Sequence, residues 1–267
     1  MQEKKETIKG LFQISLILTF WTIIPCNNTQ IVTLLDRLSP KAMNSGVWAD
    51  GSLIYLLCFL FTILTFFLIY GRRKRLFIEK TISRKDLKTT GIVIAIYISL
   101  ISILLIPSGY NFEIRYLFSV FIVNSLMVAI VEEVTFRRIL IRSISQFSSR
   151  PILIIAVSAV LFTIPHIVNY IESFSNIHDI NTIILLVKVA YLLILGIILA
   201  FIYIQQKNIL TCIIIHCGQN ILAQLLYIDE RKGLLLHFLA MVLVCITIFI
   251  QQVKERRRTY EISIKKV

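Results

Sequence analysis

Charge is scarce in this chain. Asp, Glu, Lys and Arg make up 16% of its 267 residues, against about 25% in a typical soluble protein. A chain so poor in charge is not disordered, nor a charged coiled coil. Only five cysteines occur, with no CxxC among them, so neither a disulfide scaffold nor a zinc framework is supported. HExxH is absent too. Acids are the scarcest charge: 15 Asp and Glu face 28 Lys and Arg, a net charge of +13. In a soluble chain that excess would suggest nucleic acid. Here it does not, because no nucleic-acid-binding motif accompanies it, and cytoplasmic loops of membrane proteins collect Lys and Arg.

What is abundant is apolar sequence. Hydrophobic residues are 57% of the chain, and the mean hydropathy is +0.82. The runs long enough for membrane helices begin with about Lys9 to Pro25 and continue at about 52–70, 91–107, 116–136, 151–169, 182–205, 208–228 and 233–252. The first lacks a small-x-small cleavage site and reads as an uncleaved helix, although Ile23-Ile24-Pro25-Cys26 faintly resembles a lipobox. The expected fold is therefore all-α, a polytopic integral membrane protein of about eight transmembrane helices forming a single membrane domain over 1–267.

Loop charge tests this division. With an N-in, C-in orientation, the inner segments hold 22 of the 28 basic residues. The outer segments hold five (Arg37, Lys41, Arg115, Arg231 and Lys232), and Lys188 lies within a span. That asymmetry follows the positive-inside rule. The stretch Ile31-Val32-Thr33-Leu34-Leu35 suits the outer interface, and Arg72-Arg73-Lys74-Arg75 suits anionic lipid at the inner one. No internal repeat favours an inverted-repeat transporter.

A charge in the hydrocarbon costs at least roughly 2.5–3.5 kcal/mol on insertion scales. Most acids in this sequence avoid it by lying in loops, but Glu132 and Glu133 continue an apolar run. Glu133 and Arg137 are i,i+4 with the acid first, the favourable order for an ion pair on a helix. Glu132 points about 100° away, with no cation on its own helix. A carboxyl withdrawn from water in this way suits general base and acid work. The alternative is that both acids lie solvated at the inner interface. Four histidines occur. His178 falls in a polar outer loop, and His237 is a lone histidine on an apolar run. His166 shares a helix face with Phe162, and His216 shares one with Asn220. Either alone is most simply a helix-packing hydrogen bond, but three such groups on three spans point to a site.

The ordered set Glu132-Glu133-x-x-x-Arg137, Phe162-x-x-x-His166 and His216-x-x-x-Asn220 resembles the CAAX-protease and bacteriocin-processing family of intramembrane proteases. This family, also called the Abi family, includes the eukaryotic Ras-converting CAAX endopeptidase. The resemblance covers about 115–228, the expected catalytic core. It implies a glutamate-dependent endopeptidase acting on a membrane-associated peptide or protein. Glu132 would be the general base helped by His166, and His216 and Asn220 would stabilise the oxyanion. Glu133, Arg137 and Phe162 would support the site. The family often carries the label metalloprotease. A zinc ion held by Glu132, His166 and His216 is the alternative to the favoured metal-free mechanism. The family's link to bacteriocin immunity also leaves a non-catalytic peptide-binding or regulatory membrane protein as a second reading. The expected location is a bacterial plasma membrane, with lipid and substrate as partners and no nucleic acid. A cysteine peptidase using Cys217 and a proton-coupled transporter are further alternatives.

Overall fold

The computed structural model describes residues 2–26, 60–61, 63–64, 67, 84–108, 125–172, 182–207, 209–225, 238–251 and 253–254. Most of the expected second span, residues 116–124 of the fourth, the loops with Ile31–Leu35 and Arg72–Arg75, and both His178 and His237 lie outside the described residues. Among the described residues, regular structure is helical throughout. In chain order it comprises α1 (Gln2–Cys26), α2 (Arg84–Ser108), α3 (Val128–Glu133), a π-helical segment (Val134–Leu140), α4 (Ile141–Ile144), α5 (Pro151–Glu172), α6 (Thr182–Gln206) and α7 (Leu210–Leu225). An apolar helix, α8 (Phe238–Gln251), follows.

The distribution of polarity is inverted relative to a soluble protein. Glu132, Glu133, Arg137 and Arg138 are all at most 2% exposed, whereas Ile152 is 83% and Ile183 73% exposed. Large aliphatic side chains turned outward along whole helices are stable against hydrocarbon and costly against water. Two described helices, Pro151–Val168 and Thr182–Gln206, are long and apolar enough to cross a membrane.

Close approach of backbones fixes the packing. A Cβ on Gly196 of α6 would lie 3.0 Å from the Ala159 Cα of α5. Small residues at that crossing let the two helices touch, as membrane packing requires. α6 ends in a tight turn, where Lys207 adopts φ 54° and donates its N–H to the Tyr203 carbonyl at 2.8 Å. The Thr211 hydroxyl at the start of α7 then donates to Gln206 Oε1 at 2.8 Å. α7 runs parallel to α2, because Thr90 pairs with Thr211 at 3.0 Å and Gln219 Nε2 donates to the Tyr97 hydroxyl at 2.8 Å. The helix from α3 to α4 runs antiparallel to α5, joined by Glu132–His166 and Arg137–Ser158 contacts.

One expected boundary moves. The sequence division ended the fourth span at 136 and placed 137–150 in an inner segment. The helix instead continues to Ile144, and Arg137 and Arg138 are buried within it. Both are accommodated by local partners. Arg137 pairs with Glu133 at 3.1 Å, and Arg138 Nη1 donates to the Tyr203 hydroxyl at 3.0 Å.

The longer helix also brings the three motifs to one level. At 1.5 Å per residue, Glu132 lies about 18 Å from Ile144 and His166 about 22 Å from Pro151. The Thr90–Thr211 bond sets the first turn of α7 about 9 Å above Arg84, so His216 sits about 17 Å along the bundle.

Candidate active site

The site grows from the π-helical segment. A π turn widens the helix and is common at functional positions. Here it follows Glu133 directly and carries Phe136, Arg137 and Arg138 into the interior. Phe136 meets Trp21 of α1 edge-on at 5.2 Å and Phe162 of α5 at 5.3 Å. These rings wall the site with apolar surface.

Glu133 and Arg137 form its inner half. Glu133 Oε2 accepts from Arg137 Nε at 3.1 Å, and both side chains are fully buried. Arg137 Nη1 reaches the Ser158 hydroxyl at 3.3 Å. Its guanidinium carbon lies 4.6 Å from the centroid of the Phe162 ring. Nη2 has no hydrogen-bond acceptor among the described residues, so its charge rests on the Glu133 carboxylate and the aromatic face. Glu133 Oε1 accepts from His216 Nδ1 at 2.9 Å.

Glu132 forms the other half, on a different face of the same helix. Its Oε2 lies 3.2 Å from His166 Nε2 and 3.6 Å from His216 Nε2. Sequence reasoning found no cation for it on its own helix; the fold supplies two imidazoles from α5 and α7.

Hydrogen-bond logic fixes the tautomers. His166 Nδ1 lies 2.8 Å from the Phe162 carbonyl, which can only accept. His216 Nδ1 faces the Glu133 carboxylate, which is already paired with Arg137. Both Nδ1 atoms are therefore placed to donate, which leaves each Nε2 facing Glu132 Oε2. A proton on either Nε2 would make the hydrogen bond to Glu132 Oε2. Such an arrangement can pass a proton between Glu132 Oε2 and an imidazole.

Access is one-sided. The His166 side chain is 23% exposed, while Glu132 and His216 are at most 4% exposed. Pro165 sits inside α5 immediately before His166, where it removes one backbone N–H from the helix ladder. The structure thus brings together Glu132, Glu133, Arg137, Phe162, His166 and His216. It leaves Asn220 one turn beyond His216, half-buried. Among the described residues no hydrogen bond joins Asn220 to the cluster.

Sequence reasoning missed a second polar set. Gln219, buried on α7, donates to Tyr97 of α2 and accepts from the Tyr191 hydroxyl of α6 at 3.2 Å. Beside it, a Cβ on Gly218 would lie 2.5 Å from the Tyr97 ring. This set clamps three helices at the level of His216. The only signal was a glutamine next to Asn220 in an apolar run. Cys217 is half-buried and follows His216, so the two side chains diverge around the helix. Among the described residues, no group of three or more His, Cys, Asp or Glu is arranged to hold a metal ion.

Apolar helices closed around buried acids, histidines and arginines define a helical protein with membrane-capable spans and a cluster of ionisable side chains in its interior. Residues 114–222 match the family model Rce1-like, described as Type II CAAX prenyl endopeptidase Rce1-like. That stretch, which holds all three motifs, is thus similar to a CAAX prenyl endopeptidase domain. No curated protein and no solved structure matches it.

Proposed function

We propose that this protein is a glutamate-dependent intramembrane endopeptidase. The observation that carries the reading is the position of Glu132 Oε2, within 3.6 Å of two imidazole Nε2 atoms whose Nδ1 atoms are held as donors. Glu132 takes a proton from water as that water attacks the scissile carbonyl. His166, the accessible member of the pair, orients the water and shares the proton. The tetrahedral oxyanion is stabilised by Asn220, whose amide N–H turns toward bound substrate, and by His216 once its Nε2 has taken up a proton. The proton then returns from Glu132 and His166 to the leaving amine. Glu133 and Arg137 hold His216 in the required tautomer. Substrate reaches the centre past His166, from within the bilayer.

The wider reading is an eight-span, N-in and C-in single domain of a bacterial plasma membrane, with its catalytic core at about 115–228. It acts on a membrane-associated peptide, a bacteriocin precursor being one such substrate. It binds no nucleic acid. The donor set favours proton sharing over a metal cage.

The test is full-length protein in proteoliposomes, supplied with a mixed peptide library and read by mass spectrometry. Glu132→Gln should abolish the wild-type cleavages while protein accumulates normally. Biological immunity retained by Glu132→Gln would favour the non-catalytic reading instead. Activity should survive 1,10-phenanthroline and dialysis, with well below one equivalent of zinc. Stoichiometric zinc lost with His216→Ala, together with zinc-restored activity, would make Glu132, His166 and His216 ligands.

A further inference from the structure

Three ionisable side chains of the site rest on one benzene ring, that of Phe162. The Arg137 guanidinium lies over it, 4.6 Å from the centroid. The His166 ring is 4.6 Å away and tilted by 44°. The His216 ring is 5.9 Å away and close to perpendicular, at 78°. The tilt of Phe162 therefore bears on the aim of both imidazoles. A phenylalanine does not fix that tilt by its own torsion, because its χ2 is broad. Neighbouring rings fix it. Phe136 meets Phe162 at 89°, and Trp21 in turn meets Phe136 at 64°. Edge-to-face ring pairs are directional, and these three rings are at most 2% exposed.

Phe136 and Phe162 lie on helices that carry the motifs. Trp21 lies on α1, which carries none and precedes the matched stretch 114–222. α1 runs antiparallel to the helix from α3 to α4, with Gly10 against Ser143 and Trp21 against Phe136. A Cβ on Gly10 would lie 2.7 Å from the Ser143 carbonyl oxygen. Backbone contact thus sets how far α1 sits along the π-helical segment, and with it the height of the indole.

We infer that Trp21 is a positioning residue for the reaction. Acting through Phe136 and Phe162, it holds Arg137, His166 and His216 at the angles that aim both Nε2 atoms at Glu132 Oε2. This rests on the peptidase reading above and adds the N-terminal helix to the working site. A leucine at position 21 fills part of the space but offers no ring edge. Misplacement by about 1 Å at a reacting centre can cost about 10²-fold in rate.

The experiment uses full-length protein in proteoliposomes and a peptide from a mixed library that wild type cleaves in a Glu132-dependent way. Rates are taken per folded molecule. Trp21→Leu should lower kcat by about tenfold or more, with KM changed by less than about twofold. Trp21→Phe, which restores a ring edge, should return kcat to within about threefold of wild type. Ile17→Ala is the control: Ile17 is buried one turn earlier on the same face of α1. It should lower thermal stability and leave kcat unchanged. A wild-type kcat in Trp21→Leu, or an equal fall in Ile17→Ala, would reduce Trp21 to packing and leave the peptidase standing. Should Trp21→Leu not accumulate, Trp48→Phe protein labelled with 5-fluorotryptophan decides. Adding Glu132→Gln should move the fluorine resonance of Trp21, and an unmoved resonance would overturn the inference. Absence of any Glu132-dependent cleavage would remove the peptidase reading, and this inference with it.

Discussion

Two adjacent glutamates of one helix meet opposite fates. Glu133 is saturated: Arg137 on one oxygen, His216 on the other, and no exposure. Glu132, one residue earlier, meets only imidazole Nε2 atoms and lies beside the single exposed member of the cluster. The difference is geometric. A step of about 100° around the helix directs one carboxylate to its own helix's arginine and the other to α5 and α7. Chemistry that moves a proton needs a carboxylate whose partners can give the proton up. A carboxylate locked to a guanidinium cannot, because arginine stays protonated. The pair therefore divides one acidic doublet into a reacting group and an anchor.

The sharpest way to break this comparison is to neutralise each acid in turn. Glu132→Gln should lower turnover by about 10²–10⁴-fold, the range for a lost general base, without reducing membrane accumulation. Glu133→Gln should do the reverse, lowering accumulation first. Residual Glu132→Gln activity above roughly a tenth of wild type would be too much for a missing base. Next in size is the oxyanion assignment. Asn220→Ala should cost about 10²–10³-fold in turnover, and a loss confined to KM would count against it.

The anchor side predicts an effect on stability. Either Glu133→Gln or Arg137→Met alone strands a buried partner and should destabilise by about 3–5 kcal/mol, read as thermal stability in detergent. The double variant should recover much of that loss. Additive losses in the cycle would show that the two side chains do not act as a pair. The smallest effect belongs to the clamp that neither acid touches. Gln219→Leu leaves the Tyr97 and Tyr191 hydroxyls without their shared partner and should cost about 1–3 kcal/mol. If it instead abolished turnover at unchanged stability, Gln219 would belong with the reacting half.

The membrane character and the identity of the polar residues were legible in the sequence. Apolar run length and the scarcity of acids reflect local cost: each charge left in a hydrocarbon-length segment must be compensated. The Glu133–Arg137 pair was legible for the same reason, since helical spacing alone brings i and i+4 together. The end of the fourth span was not. Arg137 and Arg138 resemble the start of a cytoplasmic loop until Glu133, Phe162 and Tyr203 are seen to receive them.

Sequence by itself determined that this chain is helical, apolar outside, and marked by acids and histidines on three separate runs. Those properties follow from residue type and periodicity, which act within one helix. Tertiary structure alone decided that Glu132 faces His166 and His216, that His216 Nδ1 meets Glu133, and that Lys188 stands on Tyr170. These contacts join residues 18 to 84 positions apart. No local rule sets them; they depend on how far each helix is shifted along its neighbours, and that shift is fixed by the close approach at Gly196 and by the Thr90–Thr211 and Tyr97–Gln219 bonds.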